Sequence, residues 1–210
     1  MDNKIRLRFS KTDTLRFIGH LDFLKVFTQT IRRSGLPIAY SQGFNPHQII
    51  SFALPLPLGM ESVNDYADIS LTTDVPHDEI IEKLNSAAPQ GLRVLAAYKP
   101  TGATAAAATA VADYALTADI SEEAIQKILT AENIVIPKKT KSGVKNTDIR
   151  PDILDITKTD SGAILRLSAG SAKFLNPLLV VAQLIDSTPC NSQLSRLELY
   201  RNGEEGLTSL

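Results

Sequence analysis

The chain begins with an alternation. Ile5, Leu7 and Phe9 interleave with Lys4, Arg6 and Arg8, and a period of two predicts a strand with one apolar and one cationic face. The period then lengthens. Leu21, Leu24, Phe27 and Ile31 recur at helical spacing and predict an amphipathic helix with these four inward. Gly35 and Pro37 close it, and Arg32 and Arg33 fall in its last turn, where cations complement the helix dipole. Short strands over 37–41 and 48–53 flank a polar loop, and Pro55, Pro57 and Gly59 interrupt regular structure after it. A strand over 66–72 leads to a helix opened by Asp74 and Pro76 with Ile80, Ile81 and Leu84 inward. Pro89 and Gly91 end that helix before a strand over 92–98.

That order is β-α-β-β-α-β, the split βαβ of ferredoxin-like domains. After an Ala-, Thr- and Gly-rich stretch over 99–111, a looser version follows. Strands are expected over 114–119, 134–137, 152–157, 163–168 and 194–200. One helix is capped by Ser121, with Glu122 and Glu123 in its first turn, and another opens at Asn176-Pro177. The expected fold class is α+β, two tandem ferredoxin-like halves with antiparallel sheets, over 1–98 and 112–210, joined by a connector over 99–111. In such a half both helices cover one sheet face, which leaves Lys4, Arg6 and Arg8 together on the other.

Charge sharpens this picture. The net charge is −1, yet residues 1–50 hold eight cations against three carboxylates, a local +5. A neutral chain with one basic half holds a polyanion locally. The one cysteine, Cys190, rules out an internal disulfide and a CxxC site and suits a reducing, cytoplasmic setting. The first residues, MDNKIRLRFSK, have no apolar core of a signal peptide. No apolar run is long enough to span a bilayer.

Candidate chemistry gathers in two basic segments and one loop. Lys138, Lys139, Lys141 and Lys145 surround Ser142-Gly143, a cationic hairpin suited to phosphate, although it lacks a P-loop pattern. The loop Ser41-Gln42-Gly43-Phe44-Asn45-Pro46-His47 is too specific in composition to be a spacer. His47, on that loop, and His20, at a helix start, are the candidate acid–base groups. The plainer reading of each is a structural hydrogen bond, and His77 reads as surface. Tyr40 and Phe44 are candidates for stacking on a base, the plainer reading of Phe44 being core packing. No GxGxxG, GxSxG, HExxH or CxxxCxxC pattern occurs, so neither a cofactor nor a metal site is expected.

The motifs Gly19-His20-Leu21-Asp22, Arg32-Arg33, Leu36-Pro37, Tyr40 through His47, Pro55-Leu56-Pro57-Leu58-Gly59 and Asp148-Ile149-Arg150-Pro151 resemble those of the radical-SAM-linked proteins. This is a bacterial domain of unknown function, also found at the C-terminus of cobalamin-binding radical SAM proteins. The resemblance implies association with a radical SAM partner, and with genes for ribosomal proteins and an RNase. That implies RNA modification or maturation. The expectation is a non-catalytic RNA-binding accessory module for tRNA or rRNA. Arg6, Arg8, Arg16, Arg32, Arg33, Lys138, Lys139, Lys141, Lys145 and Arg150 would meet phosphate, and Tyr40, Ser41, Gln42, Phe44, Asn45 and His47 would meet a base or the backbone. Two alternatives stand beside it: a protein-binding adaptor of a radical SAM enzyme, and a metal-independent endoribonuclease using His47 or His20.

Overall fold

A computed structural model of the protein describes residues 3–140, 143–170, 173–185, 188–189, 193–203 and 206–210. Lys141, Ser142 and Cys190 lie outside the described residues. The fold is mixed α+β, with a mostly antiparallel sheet and, among the described residues, five α-helices. No helix is long and apolar enough to cross a membrane among the described residues.

The first half runs β1 (Asn3–Lys11), α1 (His20–Ser34), β2 (Ile50–Phe52), β3 (Glu61–Leu71), α2 (His77–Ala87) and β4 (Leu92–Tyr98). A four-residue helix, α3 (Ala105–Ala108), lies in the connector. The second half runs β5 (Val111–Thr117), α4 (Glu122–Thr130), β6 (Val135–Thr140), β7 (Gly143–Asp148), β8 (Ile153–Thr159), β9 (Gly162–Ser168), α5 (Pro177–Leu184), β10 (Leu194–Gly203) and β11 (Gly206–Ser209). One sheet crosses both halves in the order β4-β1-β3-β10-β5-β9-β8. β3 is the hinge of this arrangement. Its Ala67–Ile69 stretch pairs antiparallel with β2, while Glu61 and Ser62 pair in parallel with Ser195 and Arg196 of β10. The backbone ladder between the halves is therefore two residue pairs long.

The period-two pattern of β1 places its faces as expected. Ile5, Leu7 and Phe9 enter a core with Phe23, Phe27 and Ile31 of α1 and with Ile80 and Leu84 of α2. A second core gathers Ala112, Tyr114 and Leu116 of β5, Leu165 and Leu167 of β9, and the inward residues of α4 and α5.

Three expectations need correction. Leu21, expected inward, is 71% exposed. The buried stripe of α1 runs through Phe23, Phe27, Thr30 and Ile31, because three further rings (Phe9, Phe52 and Phe27 with Phe23) set the helix phase by mutual contact. The strand expected over 134–137 does not join the main sheet. It extends to Thr140 and pairs with β7 in a separate two-stranded ribbon, with Lys138 and Lys139 in β6 and Lys145 in β7. The face of β1 bearing Arg6 is not open. The connector crosses it, and Arg6 is 2% exposed.

Candidate functional site

The loop of greatest sequence interest is a closed hairpin tip. Tyr40 and Gln48 form a β-bridge. Inside it the Ser41 N–H donates to the His47 carbonyl at 2.8 Å, and the His47 N–H donates to Ser41 Oγ at 3.1 Å. Ser41 Oγ also lies 2.8 Å from His47 Nδ1. The brace fixes the ends of Gln42-Gly43-Phe44-Asn45-Pro46, and Gly43 supplies a φ of 120°, a region hostile to side chains. With both ends pinned, Phe44 projects outward and is fully exposed at 106%. Core packing of Phe44 is thus overturned. Gln42, Asn45, Pro46 and His47 are exposed beside it, and Tyr40 and Ile49 flank the base of the hairpin at 48% and 39%. The same stretch follows directly on the end of α1, where Arg32 and Arg33 are exposed; Arg33 Nη2 donates to the Ala87 carbonyl.

A second exposed apolar group lies at the other motif. Gly59 N–H donates to the Arg16 carbonyl at 2.7 Å, which ties the Pro-Leu-Pro-Leu-Gly turn to the segment before α1. Phe17 and Leu58 stand out there with Leu21, and the Arg16 guanidinium lies 4.8 Å from the Phe17 ring centroid. His20 does not reach the hairpin: its ring meets Phe52 edge-on at 5.5 Å. The two candidate imidazoles are held by different partners. No cluster of three or more His, Cys, Asp or Glu that could hold a metal occurs among the described residues.

Several of the expected phosphate contacts have internal partners. Arg6 Nε and Nη2 grip Asp68 Oδ1 and Oδ2 at 2.8 and 3.2 Å, and Nη2 also donates to the Ala103 carbonyl. Arg8, half-buried, sits opposite Tyr66 in the ladder. Arg16 reaches Glu61 at 3.5 Å. Arg150 donates to the carbonyls of Ile153 and Leu129 at 2.9 and 2.7 Å, so it braces the second half from within. Lys145 is exposed, and its backbone pairs directly opposite Lys138, one step from the Lys139–Val144 pair. The hairpin tip and α1 terminus thus lie in the first half, and the lysine ribbon in the second. Arg6 is buried in its pair with Asp68, because a desolvated guanidinium takes the nearest acceptors, whereas Arg150 stays half-buried.

Several polar residues escaped the sequence reading. Asp68 and Tyr66 lie on the face of β3 opposite the helices, alternating with Ala67 and Ile69. That period-two polar pattern was the available signal, because it mirrors Arg6 and Arg8 across the ladder. Further along the same face the Tyr66 hydroxyl donates to Glu198 Oε1 at 2.6 Å, and the Tyr200 hydroxyl and Arg166 both donate to Asp113. The Tyr98 hydroxyl donates to the Leu210 carbonyl. Burial raises the phenols of Tyr66, Tyr98, Tyr114 and Tyr200 above their ordinary range. At the seam, Arg196 donates to Asp65 Oδ2 at 2.5 Å and to the Leu54 carbonyl at 2.9 Å. Burial pushes the Asp65 carboxyl up against the pull of Arg196. Nearby, burial lowers the Lys11 ammonium, which donates to the Ile18 carbonyl and lies over the Phe23 ring.

These features define a mixed α+β protein with a braced, aromatic-tipped hairpin. Residues 4–177 match the bacterial family described as "Uncharacterized protein conserved in bacteria" (DUF2344), and the chain belongs to it. No curated protein matches the chain.

Proposed function

We propose that this chain is a non-catalytic docking module that engages a protein partner through the hairpin at 40–48. One observation carries the reading: Phe44 is fully exposed at the tip of a hairpin closed by Ser41 and His47. A preordered aromatic in water has no folding role, and interface hot spots are enriched in such anchors because ordering has already been met in the free state. From the resemblance, the partner is a radical SAM protein that supplies the chemistry this chain lacks, in RNA modification or maturation in the cytoplasm. The strand orders β4-β1-β3-β2 and β10-β5-β9-β8, all antiparallel, support reading the two halves as tandem ferredoxin-like units divided at the connector.

The test is binding to the purified cobalamin-binding radical SAM protein of the same bacterium, followed by calorimetry at low and high salt. Binding that survives high salt and weakens about thirtyfold in Phe44→Ala, the size of a 2 kcal/mol hot spot, supports the reading. Affinity unchanged in Phe44→Ala overturns it.

A second reading, contact with structured RNA, rests on the ribbon register. Lys138 and Lys145 face each other directly. Lysine positions paired across a two-stranded ribbon suit a polyanion, with Arg32, Arg33 and Lys139 as further contacts. Anisotropy with tRNA and with an rRNA fragment checks it: affinity falling steeply with salt, and weakened in Lys138→Gln/Lys145→Gln, is the expected result. The endoribonuclease reading gains nothing from the geometry, since His20 and His47 contact separate partners.

A further inference from the structure

The connector forms one wall of a cleft of about 870 Å³ on the second half. Its other walls come from the end of β9, from Leu154 of β8 and from the β10–β11 pair. Backbone hydrogen bonds hold the walls together. The Ala110 N–H donates to the Tyr200 carbonyl at 2.8 Å, and the Ala169 N–H donates to the Ala110 carbonyl at 2.9 Å. Gly170 lets the chain close on the connector, since a Cβ there would sit 3.0 Å from the Thr109 carbonyl. The cleft is therefore preformed.

Its chemistry is uneven in a telling way. The connector side is lined by small residues, among them Gly102, Ala103, Ala107 and Ala108, and the apolar floor adds Val111, Leu154 and Leu207. Among the described residues, the lining contains two cations, Lys173 and Arg201, and no carboxylate and no aromatic ring. Arg201 differs from the arginines held in ion pairs. Arg6, Arg16, Arg166 and Arg196 each meet a carboxylate. Arg201 is instead aimed by two hydroxyls: Nε donates to Thr208 Oγ1 at 3.2 Å and Nη1 donates to Thr101 Oγ1 at 3.4 Å. Neutral partners fix its direction without cancelling its charge. A guanidinium so held, half-buried beside an aliphatic wall, fits an incoming oxyanion.

We infer that this cleft binds a small organic anion with an aliphatic body, its carboxylate or phosphate head on Arg201 and Lys173 and its chain against the alanine wall. The volume falls in the range of small-molecule sites, about 300–1,000 Å³. The lack of an aromatic surface sets the site apart from base-stacking sites, and the small alanine side chains supply the room that any larger residue would occupy. This assigns a role to the Ala-rich stretch that is independent of the hairpin and of the docking reading.

Amide NMR titration of the full chain with octanoate, octyl phosphate, 1-octanol and inorganic phosphate tests this. Octanoate and octyl phosphate shift the amides of Gly102, Ala107, Ala108 and Leu207. The alcohol, lacking the head, and inorganic phosphate, lacking the body, bind at least tenfold more weakly. Arg201→Gln weakens octanoate at least tenfold. Ala107→Leu, at an exposed position that packs nothing in the core, abolishes binding while leaving the melting temperature unchanged. Shifts centred on Phe44 or Leu21, no shifts at all, or equal affinity in Arg201→Gln overturns the inference. Sedimentation with phosphatidylglycerol vesicles separates a dissolved ligand from a membrane source of the same chemistry. Retention on vesicles without octanoate shifts at the cleft also overturns it.

Discussion

Phe44 and Ser41 divide the work of the hairpin. The ring contacts water, so Phe44→Ala removes no packing, and thermal unfolding of that variant is expected to coincide with the parent. Ser41 Oγ serves both the His47 backbone and its ring. Ser41→Ala removes both contacts and costs about 1 kcal/mol, read by urea unfolding, with amide exchange quickening across 40–48. Partner affinity then falls in both variants but stability in only one, which separates contact from preordering.

At the scale of elements, turns and connectors carry unequal demands. Gly91 ends the α2-to-β4 link at φ 88°, and a Cβ there would lie 2.4 Å from the Thr12 carbonyl, which accepts the Leu15 N–H; in turn Thr12 N–H donates to the Gly91 carbonyl. Gly91→Ala is expected to cost more than about 1 kcal/mol, measured as a lowered urea midpoint with an unchanged slope. The connector looked like a linker because alanine, threonine and glycine carry no strong period. In place it nucleates α3 through the Thr104 cap and packs across β2, β3 and β10. β1, β3 and β4 were legible because their apolar faces alternate, whereas the strand expected over 37–41 is reduced to isolated bridges at Ile38 and Tyr40. The strand at 134–137 was legible but its pairing with β7 outside the main sheet was not, because a short apolar run gives strand character without naming its partner.

The whole molecule depends on a thin seam. Two parallel pairs join β3 to β10, so side chains do much of the joining, with Arg196 on Asp65 and Asn64 on the Leu197 carbonyl. Arg196→Met leaves Asp65 buried and unpaired and should destabilise the chain by about 3–5 kcal/mol. Adding Asp65→Asn should recover more than half of that in chemical denaturation, because the orphaned charge is gone. The buried phenols set the alkaline limit. Four tyrosines have folded values raised above the unfolded value by burial, so the native state holds protons that the unfolded chain releases. Their stabilisation is complete below about pH 10 and is lost as pH rises beyond it. Absorbance at the phenolate band, followed with circular dichroism, is expected to show these phenols ionising together with unfolding.

The sequence by itself determined the local elements and the position of the hairpin, because side-chain period and turn residues act over a few neighbours. It placed Ile5, Leu7 and Phe9 against helices and marked residues 41–47 as set apart. Only the tertiary structure decided which cations stay available. Arg6 meets Asp68 across 62 residues, and Arg196 meets Asp65 across 131. No local pattern encodes such a pairing, since it follows from which sheet face another segment covers. Packing against distant strands also turned Leu21 outward, while the Ser41–His47 brace put Phe44 into solvent. The phase of a helix is set by the volume left after distant strands have packed.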